Sequence, residues 1–323
     1  MRYLRKAAWL ALAAALLLGV DVRADWKPDR PIRLIVPFAP GAATDISART
    51  ISTQLAAMLG QPIVIENQGA ASGVVGTEAG AKAAADGYTW TLAHDPPFTI
   101  LPNVRKLRYD PVKDFEPVAM IATIPMLLVV RPDLRVNSVK ELIELARAQP
   151  GKITFASSGI GATAHLAAEL FKHESKIDIL HVPYKGGAQA ITDLLGGQVD
   201  MVFISFGPVI QHIRSGKLKA LGVSVPRRYA SLPEVPTIAE SGVPGFDFSV
   251  WTGIAVPAGT PKEVRETINA AVAKVLEAPE VRARFESLGF VPGDRSSETL
   301  RRRIAEDSAK WKQVLSVIKI SMD

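Results

Sequence analysis

Short runs of β-branched and aliphatic residues alternate along this chain with segments whose apolar positions recur every three to four residues, the periods of strands and helices. Strands are predicted at residues 32–36, 63–66, 89–93, 118–122, 126–131, 153–156, 179–182, 201–204, 218–223 and 250–256. Helices are predicted near 45–59, 75–84, 139–148, 162–173, 188–195, 209–215 and 262–276, followed by a charged C-terminal pair. That alternation implies α/β domains with largely parallel sheets. Residues 194–200 read as a helix ended by glycines and running straight into a strand. No repeat of solenoid length interrupts the pattern.

Two junctions carry chemistry. The strand at 32–36 breaks at Pro37 and Pro40, turns through Gly41 and meets a helix whose cap candidates are Thr44 and Asp45. A helix start offers unpartnered N–H groups and the positive end of the macrodipole, so a small-residue loop there is a candidate anion site. The same order of strand, small polar loop and helix recurs at 153–165, where Ser157, Ser158 and Thr163 add hydroxyls. Either loop alone reads equally as a structural turn. Two of them, each opening a different α/β unit, suggest a ligand held between facing loops at the carboxyl ends of strands.

The N-terminal pattern and the composition bear on the setting. Arg2, Arg5 and Lys6 precede an apolar run at 7–20 and small residues end at Ala24, the pattern of a signal peptide over 1–24 cleaved near Ala24, and hence of export to a bacterial periplasm, with an uncleaved membrane anchor as the alternative reading. The formal charge of +6 falls to about +3 without that segment, and no basic stripe with interleaved aromatics points to nucleic acid. With no cysteine, neither a disulfide nor a thioether lipid anchor is available, and the core must stabilise the fold alone. The chain has no G-x-S-x-G elbow, no H-E-x-x-H pair and no Walker loop, and its five histidines lack metal-ligand spacing. An enzyme is therefore not expected, and neither is a cofactor or a metal.

Ordered motifs along the chain then resemble a known family. They are RPIRLIVPFAPG at 30–41, VIEN at 64–67, ADGY at 85–88, SSGIG at 157–161 with HLA at 165–167, and HVPYKG at 181–186. DLLGGQVD at 193–200, GKLKAL at 216–221, LPEVPT at 232–237, ESGVPG at 240–245, WTG at 251–253 and PAGTP at 257–261 continue the series. The combination is similar to the Bug, or TctC-like, solute-binding proteins of tripartite tricarboxylate transporters.

The resemblance implies an α/β periplasmic-binding-protein type II fold, two lobes joined by crossing hinge strands. Residues 26–125 and 250–323 would form lobe 1, and residues 126–249 lobe 2. It also implies a monomer that captures a small-molecule carboxylate and meets the membrane subunits of such a transporter; a sensor kinase is the alternative partner. Carried over, Phe38, Gly41, Ala42, Ala43 and Asp45 form the first ligand loop, and Ser157, Ser158, Gly161 and Thr163 the second.

Three positions depart from the common pattern of that family. The first loop reads Pro40-Gly41-Ala42 where relatives usually have Pro-Gly-Gly, the third-strand loop reads His94-Asp95-Pro96-Pro97, and Ile204-Ser205 stands where relatives often place an aspartate. Asp95 would bring a second carboxylate to the ligand, whereas Ile204 and Ser205 would suit an apolar ligand end better than an ammonium. Other residues carry two readings each. Asp45 is a helix cap or a ligand contact through water, His165 covers a core edge or lines the site, and Tyr184 walls the cleft beside a solvated Lys185. Trp251 packs or touches ligand, and Arg301 to Arg303 form a solvated helix face or a partner contact.

Overall fold

A computed structural model describes residues 26–229 and 232–317, so the candidate signal peptide at 1–24 lies outside the described residues. Strand β1 (Ile32–Val36) buries four of its five side chains and leaves Arg33 outward, where it pairs with Glu66 of β2 (Ile63–Asn67) at 2.8 Å. β1 lies between β2 and β3 (Thr89–His94), both parallel to it, with α1 (Ala43–Leu59) and α2 (Val74–Ala81) as the crossovers. A second parallel set, β5 (Thr154–Ser157), β6 (Leu180–Pro183) and β7 (Met201–Ser205), is connected by α4 (Thr163–Ser175) and α5 (Gly187–Leu195), after α3 (Val139–Ala148).

Antiparallel strands join the two sets. The 16-residue β4 (Phe115–Val130) pairs with β9 (Ser249–Pro257) up to Pro125, and from Met126 onward with β7 and with β8 (Lys219–Val223). The main path is therefore β2-β1-β3-β9-β4-β7-β5-β6, with β8 and the short β10 (Val291–Pro292) also on β4. The two strands predicted at 118–122 and 126–131 are one element. Pro125 lacks an N–H but its fixed φ suits an extended chain, and it also biases Ile124 toward extension, so the proline does not end the strand. Where Pro117 interrupts the donors, the pairing with β9 shifts register instead.

The chain passes between the two halves at Met126 and Phe248, and the fully buried Ser224 ties both passages together. Its hydroxyl accepts the Met126 N–H at 2.9 Å and donates to the Phe248 carbonyl at 2.5 Å. Helices α6 (Phe206–Arg214), α7 (Lys262–Glu277), α8 (Pro279–Leu288) and α9 (Ser297–Val317) complete the fold, and no described helix is long and apolar enough to cross a membrane. Trp251 belongs to the packing: it is fully buried and its indole N–H donates to Asp307 of α9 at 2.8 Å. Arg303 donates to the same carboxylate at 2.7 Å and to the Ser249 hydroxyl of β9 at 3.1 Å, and Arg301 pairs with Glu116 of β4 at 3.0 Å, so two of the three clustered arginines fasten α9 to the sheet.

Candidate functional site

The two Gly-rich junctions fold alike. After β1, Gly41 adopts φ +80° and Ala42 caps α1 at φ −66°, ψ 156°; after β5, Gly161 adopts φ +72° and Ala162 caps α4 at φ −70°, ψ 158°. Glycine is needed at 41 and 161 because an L side chain is strained at positive φ. Ala42 has ordinary extended backbone, so replacing the glycine usual in relatives costs no strain there.

Neither alanine cap has a side-chain acceptor, and the third helical residue serves instead. Gly41 N–H donates to Asp45 Oδ2 at 2.8 Å, and Gly161 N–H donates to His165 Nδ1 at 3.1 Å. Helix α1 thus starts earlier than its predicted caps Thr44 and Asp45. Asp45, 1% exposed, also accepts from Arg49 at 2.9 Å and from Asn67 at 2.9 Å. Burial alone would raise its pKa, but those bonds from Arg49, Gly41 and Asn67 together hold the carboxyl below the usual range.

Between the loops lies a cavity of about 660 Å³. Of the candidate residues, Phe38, Gly41, Ala42, Ala43, Ser157, Ser158, Thr163 and Ser205 line it. Four helices begin on its wall: α1, α4, α5 after its cap Gly186, and α6 after its cap Ser205. Their positive poles converge on one space, and among the described residues lining it there is no aspartate or glutamate and one lysine, Lys185. Ile124, Met126, Ile191, Ile204, Pro208 and Val250 supply an apolar remainder. The arrangement suits an anion with an apolar body and offers nothing to neutralise a cation.

Asp45, Asp95, Gly161, His165 and Tyr184 are not on the lining. Asp45 and His165 sit beneath the loops they hold. The Tyr184 hydroxyl donates to Asp193 at 2.9 Å. Asp95 is 2% exposed and follows His94, whose ring packs edge-on against Phe38 at 4.8 Å. Burial pushes the Asp95 carboxyl above the ordinary range, with His94 opposing it. The expected second carboxylate is therefore kept from the cavity.

Sequence reasoning overlooked Gly186-Gly187, although strand, glycine and helix occur there in the order already recognised twice. Ile124, Met126 and Val250 carried no signal, because an apolar residue on a buried strand reads as core whichever space it faces.

Residues 47–320 match the family described as tripartite tricarboxylate transporter family receptor, TctC. The chain belongs to this family. Among TctC relatives, Protein BugT of Bordetella pertussis is 38% identical over 300 residues, covering 92% of each chain. The solved structure of Rpa4515 from R. palustris with adipate superposes at TM-score 0.83 and 36% identity, over 90% of this chain and 98% of that one. MatC from Rhodopseudomonas palustris with bound malate gives TM-score 0.81 and 33% identity, over 89% and 99%. The fold is thus the two-lobed α/β architecture of the TctC binding proteins, and the chain is a solute-binding protein of that kind.

Proposed function

We propose that this protein is a periplasmic receptor that captures one small organic carboxylate between its two loops and presents it to the membrane subunits of a tripartite tricarboxylate-type transporter. The observation that carries this reading is the cavity itself, walled by four helix N-termini without a lining acid. Backbone N–H groups at helix starts hold a carboxylate without side-chain charge. Solved relatives bound to adipate and to malate support the class of ligand. Residues 26–125 with 250–323 form one lobe in this reading, and 126–249 the other. Closure brings the two loops onto the same carboxylate, so the ligand selects the closed state by contacts that only closure completes.

Refolded protein, freed of copurified ligand, is expected to gain thermal stability with at least one acid from a panel of linear, branched and aromatic mono- and dicarboxylates. At 100 times its Kd such an acid adds about 2.7 kcal/mol, and calorimetry should give one site per chain. A panel without a single shift rejects the reading. Transport is tested separately, by whether deleting the protein stops uptake of the acid so found.

Two substitutions probe the loops. Ser158 is exposed on the cavity wall, so Ser158→Leu should weaken the acid by about tenfold or more while moving stability by less than about 0.5 kcal/mol. Unchanged affinity removes Ser158 from the site. The Ala42 methyl lines the cavity on unstrained backbone, so Ala42→Gly should favour acids branched beside the carboxylate over their linear counterparts. An equal change for both would assign Ala42 to loop conformation rather than pocket shape.

A further inference from the structure

The latches beneath the two loops match in geometry and differ in charge. Asp45 and His165 occupy the same helical position and accept the N–H of the equivalent glycine, at 2.8 Å and 3.1 Å. We propose that His165 is a positioning residue that fixes the second ligand loop through a neutral acceptor, leaving the positive pole of α4 uncompensated for the ligand's carboxylate. This rests on the carboxylate reading for its ligand and on the loop geometry alone for its latch.

Because Gly161 N–H points at Nδ1, that nitrogen must carry a lone pair, and the ring proton belongs on Nε2. The ring is held flat by a stack: His181 of β6 lies over it at 4.1 Å between centroids, and Phe155 of β5 lies over His181 at 4.8 Å. His181 is itself tied to the same loop, its Nε2 standing 2.6 Å from the Ser157 hydroxyl, which accepts the Gly159 N–H at 3.1 Å. Gly159 and Gly161 are therefore both braced from below by one pair of imidazoles.

Burial and the neighbouring Lys172 disfavour charge on that pair. The titratable groups around His165 are His181 across the stack and Glu169 and Lys172 along α4; Lys172 pairs with Glu169 at 3.9 Å and with Asp178 at 3.6 Å. Burial, then His181 and Lys172, push the His165 imidazole down to about 4, and burial lowers His181 as well. The first loop differs. Its latch is an anion whose charge is answered by Arg49 at 2.9 Å, and part of the α1 pole is spent on Asp45. A neutral latch at the second loop makes α4 the stronger anion holder of the two.

The experiment has a ligand-free arm and a binding arm. In ligand-free wild-type protein, ¹⁵N spectra of the imidazoles should show His165 as the Nε2–H tautomer, with the Gly161 amide shift following its titration; an Nδ1–H tautomer overturns the latch. Gly161 amide exchange should be faster in His165→Ala and near wild type in His165→Asn and His165→Asp, whose oxygens can accept. Affinity is then read with adipate as the probe. His165→Asn should stay within about threefold of wild type, and His165→Ala should lose about tenfold. His165→Asp should also lose about tenfold at low salt despite its intact latch, and recover as salt is added. Equal affinity of the Asp and Asn variants overturns the electrostatic half. Should adipate not bind wild type, it is excluded as a ligand and the charge argument falls with it, while the tautomer and exchange data still decide the latch.

Discussion

Asp45→Ala is expected to cost about 2–3 kcal/mol of stability at neutral pH and to weaken ligand binding by an order of magnitude. The carboxylate is 1% exposed and answers three donors: the Gly41 N–H, the Arg49 guanidinium and the Asn67 amide. Removing it leaves the Gly41 N–H without a partner and the Asn67 amide donating to the Phe38 carbonyl alone, and it frees the turn that shapes the first loop. Arg49 keeps half its surface in water, so the charge pair itself adds little, and the estimate stays below the usual cost of breaking a buried ion pair. The pH dependence has a definite sign. Asp45 is held below its ordinary value of 3.8, so its contribution is complete above that pH and fades as the carboxyl protonates below it. Urea denaturation should therefore separate wild type from Asp45→Ala clearly at pH 7 and less as the pH falls below about 4. An unchanged midpoint at pH 7 would dismiss the anchor.

Much of the architecture was legible locally. β1 and α3 form over the residues predicted for them, because a short, almost wholly buried aliphatic run and an amphipathic face both act within a few residues. Ser138 caps α3 by accepting the Glu141 N–H at 3.1 Å, while Glu141 accepts the Asn137 N–H at 2.7 Å, a reciprocal arrangement visible in the sequence as Ser followed three later by Glu. Strand fusion across Pro125 was not legible, since it depends on β9 lying alongside. The glycine loops were readable for the same local reason as α3. Which side chains reach the cavity was not: Asp95 and Tyr184 sit at strand ends where either direction was open, and tertiary packing turned one into the interior and the other onto Asp193. Asp45 and His165 show a subtler case, because a residue one turn into a helix can govern a ligand loop without lining it.

The cavity's charge makes the other large expected effect a matter of ligand choice. Succinate and aspartate differ by one ammonium, and in this cavity that group would meet four helix poles and Lys185 with no lining carboxylate. An unpaired charge taken from water costs several kcal/mol, so wild type is expected to prefer a simple acid over its α-amino analogue by about 100-fold or more. Ile204 is the place to reverse this. It lines the cavity at the end of β7, paired with Leu127 of β4 and next to the cap of α6, and it is partly exposed, so a carboxylate there can keep some hydration. Ile204→Asp should lower affinity for the simple acid by repulsion and supply a partner for the ammonium, narrowing the preference at least tenfold. Calorimetry with a matched pair that includes an acid found in the panel is the measurement. A wild type that binds both members alike would show that water or an unlined group already neutralises the ammonium. An Ile204→Asp variant that weakens both equally would show that position 204 shapes the cavity without reading charge.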